Sequence, residues 1–168
     1  NSIWVAGQSL DDVGDTRAVV AHYLEDGTID WVDISGKPGF IELTAIRELW
    51  AGTPVDAFSA FYDIALAHDG KIVVVGEARE NYWYTAHAVI ARYLQNGQLD
   101  PNFNAEGSIP GVSLSGNFAW VPDHMADETE SGFTRVVVPD QNSIVAAGWG
   151  PPHGWSSLIA RFASNGVL

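Results

Sequence analysis

Three stretches of this chain repeat one another at an interval of about 70 residues, and that period limits the fold more than any other feature. Ile3-Trp4-Val5-Ala6-Gly7 aligns with Ile72-Val73-Val74-Val75-Gly76 and with Ile144-Val145-Ala146-Ala147-Gly148. The closing glycines stand 69 and 72 positions apart. Val19-Val20-Ala21-His22-Tyr23-Leu24 aligns with Val89-Ile90-Ala91-Arg92-Tyr93-Leu94 and with Leu158-Ile159-Ala160-Arg161-Phe162-Ala163. Each of these runs ends in a turn glycine: Gly27, Gly97 and Gly166. Phe61 to Ile72 aligns without gaps to Phe133 to Ile144. The repeat units cover approximately 1–46, 60–116 and 132–168 of a single segment spanning 1–168.

Each motif is a short β-branched run bounded by Gly, Asp, Asn or Pro, which is a strand signal. His68-Asp69-Gly70-Lys71 lies between two apolar runs and reads as a tight hairpin turn, because Asp-Gly tolerates positive φ. Strands are predicted near 2–7, 17–24, 39–45, 61–67, 72–77, 87–94, 110–115, 133–138, 144–149 and 157–163. Antiparallel strands in units of four imply an all-β chain of β-propeller blades, about two and a half of them. The first unit lacks its innermost strand and the third its outermost. A propeller needs at least about four blades to close, so other blades, from the same protein or from other copies, are the expected partners.

The middle unit resembles a known family. Ile64-Ala65-Leu66-Ala67-His68-Asp69-Gly70-Lys71-Ile72-Val73-Val74-Val75-Gly76 is similar to the first half of the bacterial delta-60 repeat. Ala88-Val89-Ile90-Ala91-Arg92-Tyr93-Leu94-Gln95-Asn96-Gly97-Gln98-Leu99-Asp100-Pro101-Asn102-Phe103 is similar to its second half. In the third unit Gln141-Asn142-Ser143 replaces the Asp-Gly-Lys turn. The resemblance implies a β-propeller in bacterial surface or secreted proteins, with no catalytic residues to carry over.

Charge narrows the partners. Twenty-one acidic side chains against eight basic ones give a formal charge of −13, which repels phosphate backbones and anionic membranes. No run approaches the roughly 18 apolar residues of a membrane-spanning helix. There are no cysteines, hence no disulfides, thiolate metal sites or cysteine nucleophiles. Gly-x-Ser-x-Gly, His-Glu-x-x-His, phosphate-loop and dinucleotide motifs are all missing. No catalytic residue, metal ligand or cofactor is therefore expected. Asp11, Asp12 and Asp15 could offer oxygens to Ca²⁺, but their spacing fits no calcium loop, and a solvated acidic loop is expected instead. Asp123 to Glu130 reads as an acidic loop.

Binding residues collect in loops on a rigid scaffold. In a blade the connection between strands two and three opens on the same face as the connection to the next blade. The lengthened connections carry Tyr82, Trp83, Tyr84, His153 and Trp155, and those between blades carry Trp50 and Trp120. Aromatic rings gathered there would suit a carbohydrate or peptide ligand. Tryptophans that pin down long loops are the plain alternative; for Trp4 and Trp31, beside strand motifs, packing is expected. Two functional readings follow. One is a non-catalytic binding module using that loop face. The other is a purely structural segment that assembles with the rest of a larger protein or with other copies.

Overall fold

The computed structural model describes residues 2–10, 14–30, 39–45, 58–79, 86–114, 130–150 and 156–168. Ten β-strands run through these residues and form three antiparallel sheets. The first holds β1 (Ser2–Leu10), β2 (Thr16–Leu24) and β3 (Phe40–Glu42) in that order. The second holds β4 (Phe58–Leu66), β5 (Ile72–Arg79), β6 (Ala86–Tyr93) and β7 (Val112–Leu114). The third holds β8 (Gly132–Asp140), β9 (Ser143–Gly150) and β10 (Ser156–Ala163). All ten fall where the repeat predicts. The main differences are that β3 and β7 have three residues each, and that β4 begins three residues earlier than expected, at Phe58.

The sheets stack as blades because the two central strands of the middle sheet, β5 and β6, have two apolar faces. Along β5, Ile72 and Val74 point back to the first sheet, where they meet Ala18, Val20 and Leu43. Val73 and Val75 point forward to the third, where they meet Phe133, Ile144 and Phe162. All four β5 side chains are at most 1% exposed. Each such burial is worth about 1.5–3 kcal/mol, so the middle sheet anchors both interfaces. Trp4 packs against the first of these cores and stacks on His22 at 4.0 Å, as expected of a strand tryptophan. Trp31 lies outside the described residues.

The outer sheets repeat the pattern on one side only. Ile3 and Val5 occupy the positions of Ile72 and Val74 but are 54% and 46% exposed. Ile159 matches Ile90 and is 73% exposed, whereas Ile90 is 0% exposed. The back of the first sheet and the front of the third are thus open apolar faces.

Two further devices recur with the repeat, one between blades and one within each blade. The Ser59 hydroxyl accepts the Ala18 N–H at 2.9 Å, and the Ser131 hydroxyl accepts the equivalent Ala88 N–H at 3.0 Å. The first strand of one blade therefore latches onto the third strand of the blade before it. Two residues later, Phe61 pairs with Gly76 and Phe133 with Gly148, and at both places the first strand bulges. A Cβ on Gly76 would stand 1.8 Å from the Ala60 carbonyl oxygen, and one on Gly148 would stand 1.9 Å from that of Gly132. Glycine is required there because a neighbouring backbone fills the space of a side chain.

Candidate functional site

The most connected polar cluster among the described residues grows from the end of β6. Arg92 projects from that strand, and the turn at Asn96-Gly97 returns the chain to set Asp100 beside it. Arg92 Nε and Nη2 each lie 2.8 Å from Asp100 Oδ2. Lys71 Nζ approaches the same oxygen at 3.3 Å and Asp69 at 2.9 Å. Asp100 is fully buried. Burial works against its charge, but the Asn102 N–H, Arg92 and Lys71 outweigh it and hold the carboxyl below its ordinary range. Burial likewise opposes the charge on Asp69, and Lys71 overcomes it, so that carboxyl is lowered too.

This cluster crosses the blade junction. Arg92 Nη1 donates to the Ser164 carbonyl of the third blade, and its guanidinium lies over the Phe103 ring at 4.8 Å. Phe103, itself fully buried, packs on Gly166, and the Asn104 N–H donates to the Asn165 carbonyl at 2.6 Å. The Arg-x₇-Asp-x₂-Phe spacing in the middle unit therefore builds a staple from one blade to the next. In the first unit His22 stands for Arg92 and Asp30 for Asp100, with His22 Nδ1 and Asp30 Oδ2 3.1 Å apart.

Two clefts flank the staple, both on the face where the hairpin turns lie. One of about 270 Å³ sits between the second and third sheets and is lined by His68, Asp69, Arg92, Asp140, Gln141 and Ser164, among others. The Asn142 N–H and the Ser143 hydroxyl lower the Asp140 carboxyl. Arg92, the one arginine or lysine among the described residues of this lining, is already held by Asp100 and Ser164. The other cleft, of about 290 Å³, lies between the first and second sheets and includes Ile41, Leu43, Tyr93 and Leu99. The Tyr93 hydroxyl is buried without a hydrogen-bond partner among the described residues, and burial raises its pKa. No group of three or more His, Asp or Glu among the described residues is placed to hold a metal ion.

The aromatic residues expected to bind ligand, Trp50, Tyr82, Trp83, Tyr84, Trp120, His153 and Trp155, all lie outside the described residues, so none is placed against another. The strand ends that flank them are described. Arg79 and Ala86 pair with each other, and so do Gly150 and Ser156. Together with Glu42, Phe58, Leu114 and Gly132, these ends lie on the face opposite the hairpin turns. The chain thus leaves and re-enters the sheets there at every point where an expected binding residue falls.

Asp11 and Asp12 also lie outside the described residues, as does 123–129 of the acidic stretch. Asp15 departs from the expected solvated loop. It is 7% exposed and pairs with Arg17 at 3.3 Å, because Thr16 already begins β2 at the blade junction. The serine latches escaped the sequence reading. Their signal was present, since Ser59-Ala60-Phe61 and Ser131-Gly132-Phe133 recur at the repeat interval.

Against known proteins, the family described as "Domain of unknown function (DUF5122) beta-propeller" matches residues 68–103. That span runs from the β4–β5 hairpin turn through β5 and β6 to Phe103, and so contains the whole staple except its acceptor on the third blade. No curated protein matches the chain.

Proposed function

We propose that this chain is a non-catalytic run of blades within a larger closed propeller, where its role is assembly with further blades. The observation that carries this reading is the contrast between equivalent positions. Ile90 is 0% exposed and Ile159 is 73% exposed. Ile3 and Val5 are likewise open where Ile72 and Val74 are sealed. Exposed apolar faces and unpaired strand edges invite association. In solution the chain should have a mass by light scattering above its 18.1 kDa, through self-association or capture of added blades. A stable, isolated monomer at micromolar concentration would overturn the reading.

The Arg92–Asp100–Phe103 staple gives a structural reason for the most distinctive part of the delta-60 pattern, which supports placing the chain with those repeats. With that placement goes a bacterial surface or secreted setting. A second reading builds on the loop face, because the connections carrying the seven expected binding residues open on one side. There the chain would be a binding module for a carbohydrate or a peptide. Trp83, between Tyr82 and Tyr84, is the residue chosen to stack on the ligand. Trp83→Ala should weaken binding of a glycan identified on an array by roughly tenfold, since a stacked ring is worth about 1 kcal/mol or more. Stability should stay within about half a kcal/mol. A protein that instead unfolds several kcal/mol more easily would make Trp83 a packing residue and remove this reading's best support.

A further inference from the structure

Gly7 has no explanation within the described chain. It aligns with Gly76 and Gly148, where a neighbouring carbonyl fills the space of a Cβ. A Cβ on Gly7, by contrast, would meet nothing within 4 Å. Its φ is not positive either, so no turn geometry demands glycine. Glycine inside a strand costs about 0.5–1 kcal/mol relative to alanine, and its usual cause is a backbone that approaches closely. In the second and third sheets that backbone is the first strand, bulged just after a phenylalanine set opposite the glycine. In the first sheet β1 is an edge strand, paired among the described residues only with β2.

We propose that the free edge of β1 is a strand-acceptor site. It takes an antiparallel segment of another blade-forming sequence that sets an aromatic residue opposite Gly7 and bulges at the next position. The register follows from β4 on β5, where Ser59 pairs with Ala78, Phe61 with Gly76 and Leu66 with Ile72. Transferred to β1, the segment's serine faces Ser9, its aromatic residue faces Gly7, and its last apolar residue faces Ile3. Its side chains on the back of the sheet lie beside Ile3 and Val5, as Phe61 and Ile64 lie on the face that carries Ile72 and Val74. The site rests on the assembly reading but specifies more than that reading does: one edge, one register and one residue type.

The probe is a synthetic peptide with the sequence of residues 58–67 and a lysine tail for solubility, titrated into the intact chain by fluorescence anisotropy. Saturable binding is expected. Gly7→Val should reduce it at least tenfold, because the added side chain occupies the carbonyl's place. It should not lower the chain's own thermal unfolding, since a Cβ there has no neighbour. On the peptide, replacing the residue equivalent to Phe61 with lysine should also reduce binding tenfold or more, a comparison that leaves the protein untouched. Equal binding by wild type and Gly7→Val, or indifference to the phenylalanine, would overturn the site. The assembly reading fails separately, through the mass. An oligomer that ignores the peptide removes only the acceptor edge, and a monomer that binds it removes only the assembly.

Discussion

Gly76→Ala should destabilise the chain by about 3 kcal/mol or more, the upper end of what overpacking costs. The new methyl would stand 1.8 Å from the Ala60 carbonyl oxygen, 2.8 Å from its carbon and 2.9 Å from the Phe61 Cα. All three are backbone atoms, so no side-chain rotation relieves the clash. Either the β4 bulge flattens or β4 leaves β5, and with it goes Phe61, whose ring packs edge-on against Tyr93 at 6.4 Å. Gly148→Ala should cost a similar amount, for the same reason at Gly132 and Phe133. Gly7→Ala should cost nothing and gain up to about 0.5–1 kcal/mol, because no neighbour opposes the methyl. Urea midpoints of the three variants, taken with unchanged slopes, check the ordering. Equal losses at Gly7 and Gly76 would mean that the bulge is not what these glycines serve.

The second large effect is expected at Arg92. Arg92→Met keeps most of the side chain's volume but strips Asp100 Oδ2 of the partner that reaches it through two nitrogens. Removing one member of a buried pair costs about 3–5 kcal/mol. Lys71 remains 3.3 Å from Asp100 and should hold the loss toward the lower end of that range. The variant also loses the bond to the Ser164 carbonyl and the cation over Phe103, so the junction between the second and third blades should loosen first. Arg92→Lys should fall between the two, because an ammonium cannot reproduce the fork. Acid supplies an independent check. The Asp100 carboxyl is lowered in the folded state, so its stabilisation is complete above the unfolded carboxylate pKa of about 4 and is lost as pH falls through the folded value. Wild type should therefore lose stability in that acid window, and Arg92→Met should lose less there. A variant that unfolds with the wild-type midpoint and acid profile would show that the staple is not structural.

The strands were legible because β-branched runs and turn glycines recur in fixed order. Gly70 and Gly97 do adopt positive φ, of 79° and 82°, as the hairpin turns require. The errors fall where that signal is weak. β4 starts early because Phe58-Ser59-Ala60 has no β-branched residue to mark it, although Ser59 is what joins the first two blades. Arg92, Asp100 and Phe103 were visible as a pattern. Their purpose was not, because the acceptor at Ser164 lies 72 positions along the chain and only stacking brings it near. Asp15 looked like part of an acidic surface loop, and only the position of β2 buries it beside Arg17. The aromatic loop residues were chosen by topology alone. The strand ends agree with the face assigned to them, and the rings themselves lie outside the described residues.

The latches all point the same way. A serine at the start of one blade grips the blade before it, and an arginine at the end of one blade grips the blade after it. The interface is therefore heterologous: the front of a blade fits a back, never another front. Two copies meeting face to face about a two-fold axis would match neither the serine to its N–H nor the arginine to its carbonyl. Head-to-tail contact is the pairing these surfaces favour, and such contact has only two ends in principle. Either the rotation from blade to blade closes the series into a ring, or it does not and the series lengthens into a fibre. The angle between neighbouring blades, more than the strength of any one contact, decides which of the two such contacts make.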